Sequence, residues 1–222
     1  MILSRGRRYL FVHIPKTGGT SMALALEQRA MRDDWLIGDT PKARRRKARL
    51  KEVQTAGRLW KHSTVAEAEG LYSRAELDDL FVFTLVRNPW DRMVSYYHWL
   101  RVQTFDHPAV AVARARSFSD FLNHPQTTGA IAANPYGQYM RDGAGRERAT
   151  LYARLEALEE DLAPLRAHLG FDPQPGRSNA SERPADWRGQ YGDRDAGLVA
   201  EFCAEDIRRF GYAFDPPGVS AF

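Results

Sequence analysis

At 222 residues, 43% of them hydrophobic, the chain can bury one substantial core, so a single domain over 1–222 is expected. Its formal charge of +4 is concentrated in residues 42–51 (KARRRKARLK), which hold seven Lys or Arg and no acid. The rest carries 25 basic against 28 acidic residues, a net of −3, which speaks against a diffuse nucleic-acid surface.

In chain order, residues 8–14 read as a strand that breaks into Pro15-Lys16-Thr17-Gly18-Gly19-Thr20-Ser21, and 19–31 as the helix that follows. Strand, tight turn and helix N-terminus together make an anion cradle, where backbone N–H groups and about half a positive charge of helix dipole converge. Lys16 adds a full charge, Thr17, Thr20 and Ser21 add hydroxyls, and Gly18 and Gly19 let backbone approach an oxyanion without a Cβ between. The turn is not the nucleotide loop G-x-x-x-x-G-K-[ST], because Lys16 precedes the glycines and no hydroxyl follows a Gly-Lys pair to hold magnesium. A different phosphate-type cargo with no obligatory metal is expected; the plain alternative is an ordinary βα turn with two glycines.

Residues 42–54 have high helix propensity, with Thr40-Pro41 as cap and first position. A short strand is read at Arg58–His62, short helices at 64–69 and 74–79, the second capped by Ser73. Leu80–Val86 is apolar on both faces, as a central parallel strand should be. Asn88-Pro89-Trp90-Asp91 starts a helix running to about Val102. Short helical pieces fill 106–134, a strand is read within 149–156, and a helix over 157–169 is stopped by Gly170. The stretch 176–193 reads as loop and 194–210 as a final helix. Strands alternating with helices point to a parallel α/β sheet covered on both faces. No apolar stretch reaches the roughly 18–20 residues that span a bilayer. Cys203, the single cysteine, excludes an internal disulfide framework and reads as a buried, inert thiol.

The second informative stretch is Arg87 through Tyr97. Arg87 follows the end of the central strand, the edge where open α/β sheets bind ligands, and Ser95 lies about two turns into the next helix. Guanidinium and hydroxyl could grip one further phosphate; alternatively Arg87 pairs with Asp91 and Ser95 only packs.

With both stretches in hand, the chain resembles the sulfotransferases that use 3′-phosphoadenosine 5′-phosphosulfate (PAPS), specifically the carbohydrate (heparan and chondroitin) branch and its bacterial relatives. PKTGGTS looks like that family's 5′-phosphosulfate loop, and Arg87 with Ser95 its 3′-phosphate pair. Gln138–Met140, Leu155–Asp161, Asn179-x-Ser181 and Phe210–Tyr212 resemble weaker blocks of the same family. The resemblance implies a P-loop-like three-layer α/β domain with a central parallel sheet flanked by helices. It implies PAPS as co-substrate, 3′-phosphoadenosine 5′-phosphate (PAP) as product, and sulfate transfer to an acceptor hydroxyl on a glycan. Lys16 would stabilise the leaving phosphate, residues 16–21 with Arg87 and Ser95 would hold the donor, and Arg177 or Arg183 in the late loop would close over it.

The acceptor needs a base, and histidine suits neutral pH. Of six histidines, His62 is the candidate, because Lys61-His62-Ser63 resembles the segment where this branch carries its catalytic histidine. Other members use glutamate, and His62 could instead cap a helix or line the site. His13 reads as a core residue; His98, His107, His124 and His168 have no legible chemistry. Residues 42–51 could contact an acidic polymer through Arg44, Lys47 and Lys51, or form a solvated face. No nucleic-acid partner and a cytoplasmic location are expected. Two rivals remain at this stage: an atypical P-loop nucleotide kinase, and a non-enzymatic nucleotide- or polyanion-binding module.

Overall fold

The computed structural model describes residues 1–176, 184 and 186–215. Five strands, β1 (Ile2–Ser4), β2 (Tyr9–Val12), β3 (Trp35–Leu36), β4 (Phe81–Val86) and β5 (Leu151–Arg154), form one sheet in the order β3-β1-β2-β4-β5. Its helices are α1 (Gly19–Gln28), α2 (Pro41–Arg46), α3 (Arg74–Asp79), α4 (Pro89–Arg101), α5 (Pro108–Ala115), α6 (Phe118–Leu122), α7 (Pro125–Ala132), α8 (Tyr136–Tyr139), α9 (Leu158–Asp161), α10 (Ala163–Leu169), α11 (Asp193–Phe202) and α12 (Ala204–Phe210). The chain divides into two compact units, Met1–Val86 with Tyr136–Asn179, and Arg87–Pro135 with Ala180–Phe222.

The first unit holds the sheet. β2, β4 and β5 run parallel, Phe11 opposite Phe83 and Thr84 opposite Tyr152. The sheet is mixed rather than parallel throughout, because β1 runs antiparallel to both β2 and β3. Ser4 pairs with Tyr9 across the four residues Arg5–Arg8, and Arg8 closes the hairpin at a φ of 51°. Alternation along β2 explains why both faces are covered. Tyr9 and Phe11 pack with Met22, Leu26, Leu162 and Leu165 on one face, while Leu10 and Val12 pack with Val65, Leu71, Leu77 and Met140 on the other.

Capping chemistry sets several boundaries. Thr40 accepts the Ala43 N–H at the head of α2 and donates to Glu27 at 2.7 Å, and Ser73 and Glu76 form a reciprocal capping box on α3. Five of the expected elements are corrected. Residues 64–69 form turns rather than a helix. The basic helix tightens into a 3₁₀ stretch over Lys47–Glu52. The helices expected over 157–169 and 194–210 each break, at Leu162 and at Cys203. No strand forms over Arg58–His62, because Ser63 takes its backbone groups: the buried Ser63 Oγ donates to Arg58 O at 2.8 Å and accepts Trp60 N–H at 2.9 Å.

The second unit is helical around α4, whose Trp90, Met93, Val94 and Tyr97 pack with Val110, Phe118, Phe121, Trp187 and Val199. Asn88 caps α4 by accepting the Trp90 N–H at 3.1 Å and donates to Ala213 O at 3.0 Å. Pro89 stands at the first helical position as the sequence predicts.

Candidate active site

The cradle lies in the first unit, between β2 and α1. Lys16 and Gly18 both sit at positive φ, 67° and 87°. Glycine adopts that region freely, whereas for Lys16 it is a held, strained conformation. The Thr17 hydroxyl donates to Ile14 O at 2.9 Å and is fully buried, so it fastens the turn rather than facing a ligand. Gly18 precedes α1 with no side-chain cap, and Ser21 N–H turns back to Gly18 O at 3.1 Å. The remaining first-turn amides, at Gly19 and Thr20, have no acceptor inside the helix by its geometry. No acidic residue occupies that turn, so the dipole is left for an anion.

Both glycines are required by contact. A Cβ on Gly18 would lie 2.8 Å from Leu155 Cδ1, and one on Gly19 would lie 2.1 Å from His13 Cδ2. Leu155 follows β5 and opens one of the weaker blocks seen in the sequence, so that block buttresses the cradle from beneath.

His13 lies one residue beyond β2 and is 7% exposed. It joins the cradle to the candidate base. Its ring stacks on Phe11, lies against Gly19 and meets the His62 ring edge-on, with centroids 4.6 Å apart. His62 Nδ1 lies 2.7 Å from His13 O. A carbonyl only accepts, so Nδ1 carries the proton and Nε2 keeps its lone pair. Burial lowers the His62 pKa to about 3, with Lys61 and the Met1 amino group adding to the effect. Burial first, then His62, holds His13 well below the usual histidine range. Both rings are neutral at pH 7, and His62 is fixed in the tautomer that accepts a proton at Nε2.

The second anchor lies within the other unit. Arg87 is 8% exposed, and its Nε and Nη2 donate to Asp91 Oδ2 at 2.8 and 2.6 Å. Asp91 and Ser95 are four residues apart on α4 and share one face of it. The carboxylate that clasps Arg87 therefore stands one turn before the buried Ser95 hydroxyl. The ion pair and the phosphate reading are compatible, since Asp91 orients the guanidinium.

Residues 1–183 match the profile of the sulfotransferase family. The chain is a member of the sulfotransferase family. Among solved structures, the crystal structure of mouse sulfotransferase SULT7A1 complexed with PAP shares the fold, with a TM-score of 0.52 at 17% identity over 91% of this chain and 84% of that one. No curated protein matches the sequence. For a sulfotransferase the nucleotide-kinase alternative falls away, and the sheet with its parallel β2-β4-β5 core is the P-loop-like α/β fold expected.

The other histidines of this sulfotransferase have structural positions. His107 Nδ1 caps α5 and His124 Nδ1 caps α7, each accepting a backbone N–H. His168 Nε2 lies 2.9 Å from Arg7 O, and His98 Nε2 lies 3.4 Å from Gln190 Oε1. Burial pushes the Cys203 thiol up to about 12, which matches the inert role expected. Arg177 and Arg183 lie outside the described residues. Among the described residues, no cluster of His, Cys, Asp or Glu could hold a metal ion, and no helix is long and apolar enough to cross a membrane.

Proposed function

We propose that this sulfotransferase moves a sulfuryl group from PAPS to an acceptor hydroxyl on a glycan and releases PAP, the nucleotide in the SULT7A1 crystal structure. One observation carries the reading: Lys16 is held at positive φ beside a helix N-terminus whose first amides have no intrahelical acceptor and whose glycine surface a Cβ would fill. A doubly anionic phosphosulfate end fits that surface.

The residues then take these roles. The amides of Gly19 and Thr20, with Thr17, Gly18 and Ser21 shaping the turn, hold the 5′-phosphate. Arg87, oriented by Asp91, and Ser95 hold the 3′-phosphate. The acceptor oxygen bonds to sulfur as the bond from sulfur to the 5′-phosphate oxygen breaks in line. PAP leaves with that electron pair, and the hydroxyl proton passes to His62 Nε2. Lys16 neutralises the charge that grows on the bridging oxygen, an interaction stronger in the transition state than before it. A sulfuryl group carries less charge than a phosphoryl group, so one ammonium and the amides suffice without a metal. A single domain over residues 1–222 is the reading we keep, supported by a family profile that matches residues 1–183. The single buried cysteine suits a reducing cytoplasm.

Lys16→Ala tests the reading. We expect turnover to fall about 10²–10³-fold, the range for losing one transition-state donor, with PAP affinity changed far less. Wild-type turnover in that variant would remove Lys16 from the reaction.

A further inference from the structure

Burying an imidazole without a hydrogen bond is costly, so buried polar side chains almost always have a partner. Five histidines obey that rule. His62, His98, His107, His124 and His168 each bring a ring nitrogen to a hydrogen-bonding group. His13 is the exception. It is the one buried histidine, 7% exposed, and among the described residues no hydrogen bond reaches its ring nitrogens, only its carbonyl. Its ring meets Phe11, stacked at 6.0 Å between centroids, the His62 ring at 4.6 Å, and Gly19.

The contact with Gly19 gives the unpaired ring a direction. A Cβ on Gly19 would lie 2.5 Å from His13 Nε2. Cα–Cβ bonds in a helix tilt toward its N-terminus, and Gly19 is the first residue of α1. The imidazole therefore borders the space that the first-turn amides of α1 face, where the donor's anionic end belongs. Burial first, then His62, with the Met1 amino group, Lys61 and Lys16 adding to the effect, keeps the ring neutral at pH 7. A neutral imidazole offers one N–H donor and brings no charge of its own. The ring is also held firmly, by Phe11 on its face and by a backbone carbonyl fixed to His62.

We propose that His13 is a third catalytic side chain, donating its Nε2–H to a non-bridging oxygen of the sulfuryl group in transit. That bond turns the sulfur toward the acceptor oxygen at His62 and keeps acceptor, sulfur and bridging oxygen in line. His13 forms no covalent bond and keeps its proton; the acceptor proton still passes to His62, and PAP still leaves with the electron pair of the broken bond. The role rests on the sulfuryl-transfer reading above. It accounts for a buried ring that has no hydrogen-bond partner among the described residues.

The test measures single-turnover PAP release from PAPS, with 4-nitrophenol as acceptor and with water alone. His13→Phe keeps a ring against Phe11 and Gly19 but carries no donor. Its rate should fall about 100-fold, the lower end for losing one preorganised donor, with PAP affinity and melting temperature near wild type. His13→Gln, which returns an N–H, should recover at least about tenfold of that loss. In a His62→Ala background His13→Phe should lower the residual rate by a similar factor, because His13 acts on the sulfuryl group and not through the base. The role is overturned if His13→Phe reacts at the wild-type rate, if its PAP affinity falls in step, if His13→Gln recovers nothing, or if the loss vanishes once His62 is gone. Should His13→Phe not fold, His13→Ala decides: added imidazole should raise its rate, and no rescue overturns the role. A wild-type enzyme that binds PAP yet releases none from PAPS under either condition overturns the sulfotransfer reading itself, and His13's role with it.

Discussion

The two candidate anion anchors are built from different parts of the chain. The cradle after β2 is made by backbone: two positive-φ residues, a helix N-terminus, and glycines pressed against Leu155 and His13. The anchor at α4 is made by side chains, a buried guanidinium clasped by Asp91 and a buried hydroxyl one turn further on. A backbone site loses an N–H donor only to proline, but it has no room for one extra carbon. A side-chain site tolerates changes of shape, and its affinity falls by whatever each removed group contributed.

Five variants would break or sharpen that contrast. The largest effect is expected beside the cradle. His62→Ala should lower turnover about 10²–10⁴-fold, the usual range for a general base, with PAP affinity retained; retained turnover would move the search to a carboxylate. Next, Gly19→Ala drives a Cβ to 2.1 Å from the His13 ring, and donor affinity should fall about 100-fold with a lower melting temperature, since overpacking alone costs about 1–3 kcal/mol. Unchanged PAP binding in that variant would show that the cradle has slack the structure does not suggest.

The side-chain anchor should respond by degrees. Arg87→Ala should weaken PAP roughly 10–150-fold, equivalent to the 1.5–3 kcal/mol of a charged hydrogen bond, while leaving adenosine 5′-phosphosulfate nearly unaffected. Ser95→Ala should weaken PAP only about 2–10-fold, for a neutral bond of 0.5–1.5 kcal/mol. Equal losses for both nucleotides would sink the 3′-phosphate assignment.

The smallest effect is a stability slope. His62 has a folded pKa near 3 against about 6.5 unfolded, so between those values the unfolded chain binds a proton that the native chain does not. Its contribution is intact above about pH 6.5 and is lost as pH falls, by about 1.4 kcal/mol per unit. Lys16, Lys61, Asp39 and the Met1 amino group face the same pair of rings, so the slope is best read as a difference. His62→Gln should flatten it by one proton in denaturant titrations at pH 7, 6 and 5. The same depressed pKa predicts a kcat/KM profile with no acid limb near pH 6.5; a limb there would mean the base is another group.

How much was legible follows the range of the interactions. The helix start at Asn88-Pro89 and the cap at Ser73 were readable because cap, first position and third residue lie within four positions of one another. β1 and β3 carry no periodic sequence signal because they are three and two residues long and exist only through pairing, β1 with β2 and β3 with β1. The strand expected at 58–62 failed because Ser63, a small hydroxyl with no signal of its own, claims the backbone groups a strand needs.

The sequence alone therefore determined the cradle's position, its lysine and glycines, the Arg87–Ser95 spacing and the sulfotransferase family, because each is a short-range pattern of donors, caps and permissive φ. Only the tertiary structure decided what those patterns touch. It placed His13 between Gly19 and His62, fixed the His62 tautomer through a carbonyl 49 residues away, clasped Arg87 with Asp91, and left Trp60 in the open beside the candidate base. Tautomer, protonation and exposure depend on which distant groups exclude water from a side chain, and chain order does not specify that.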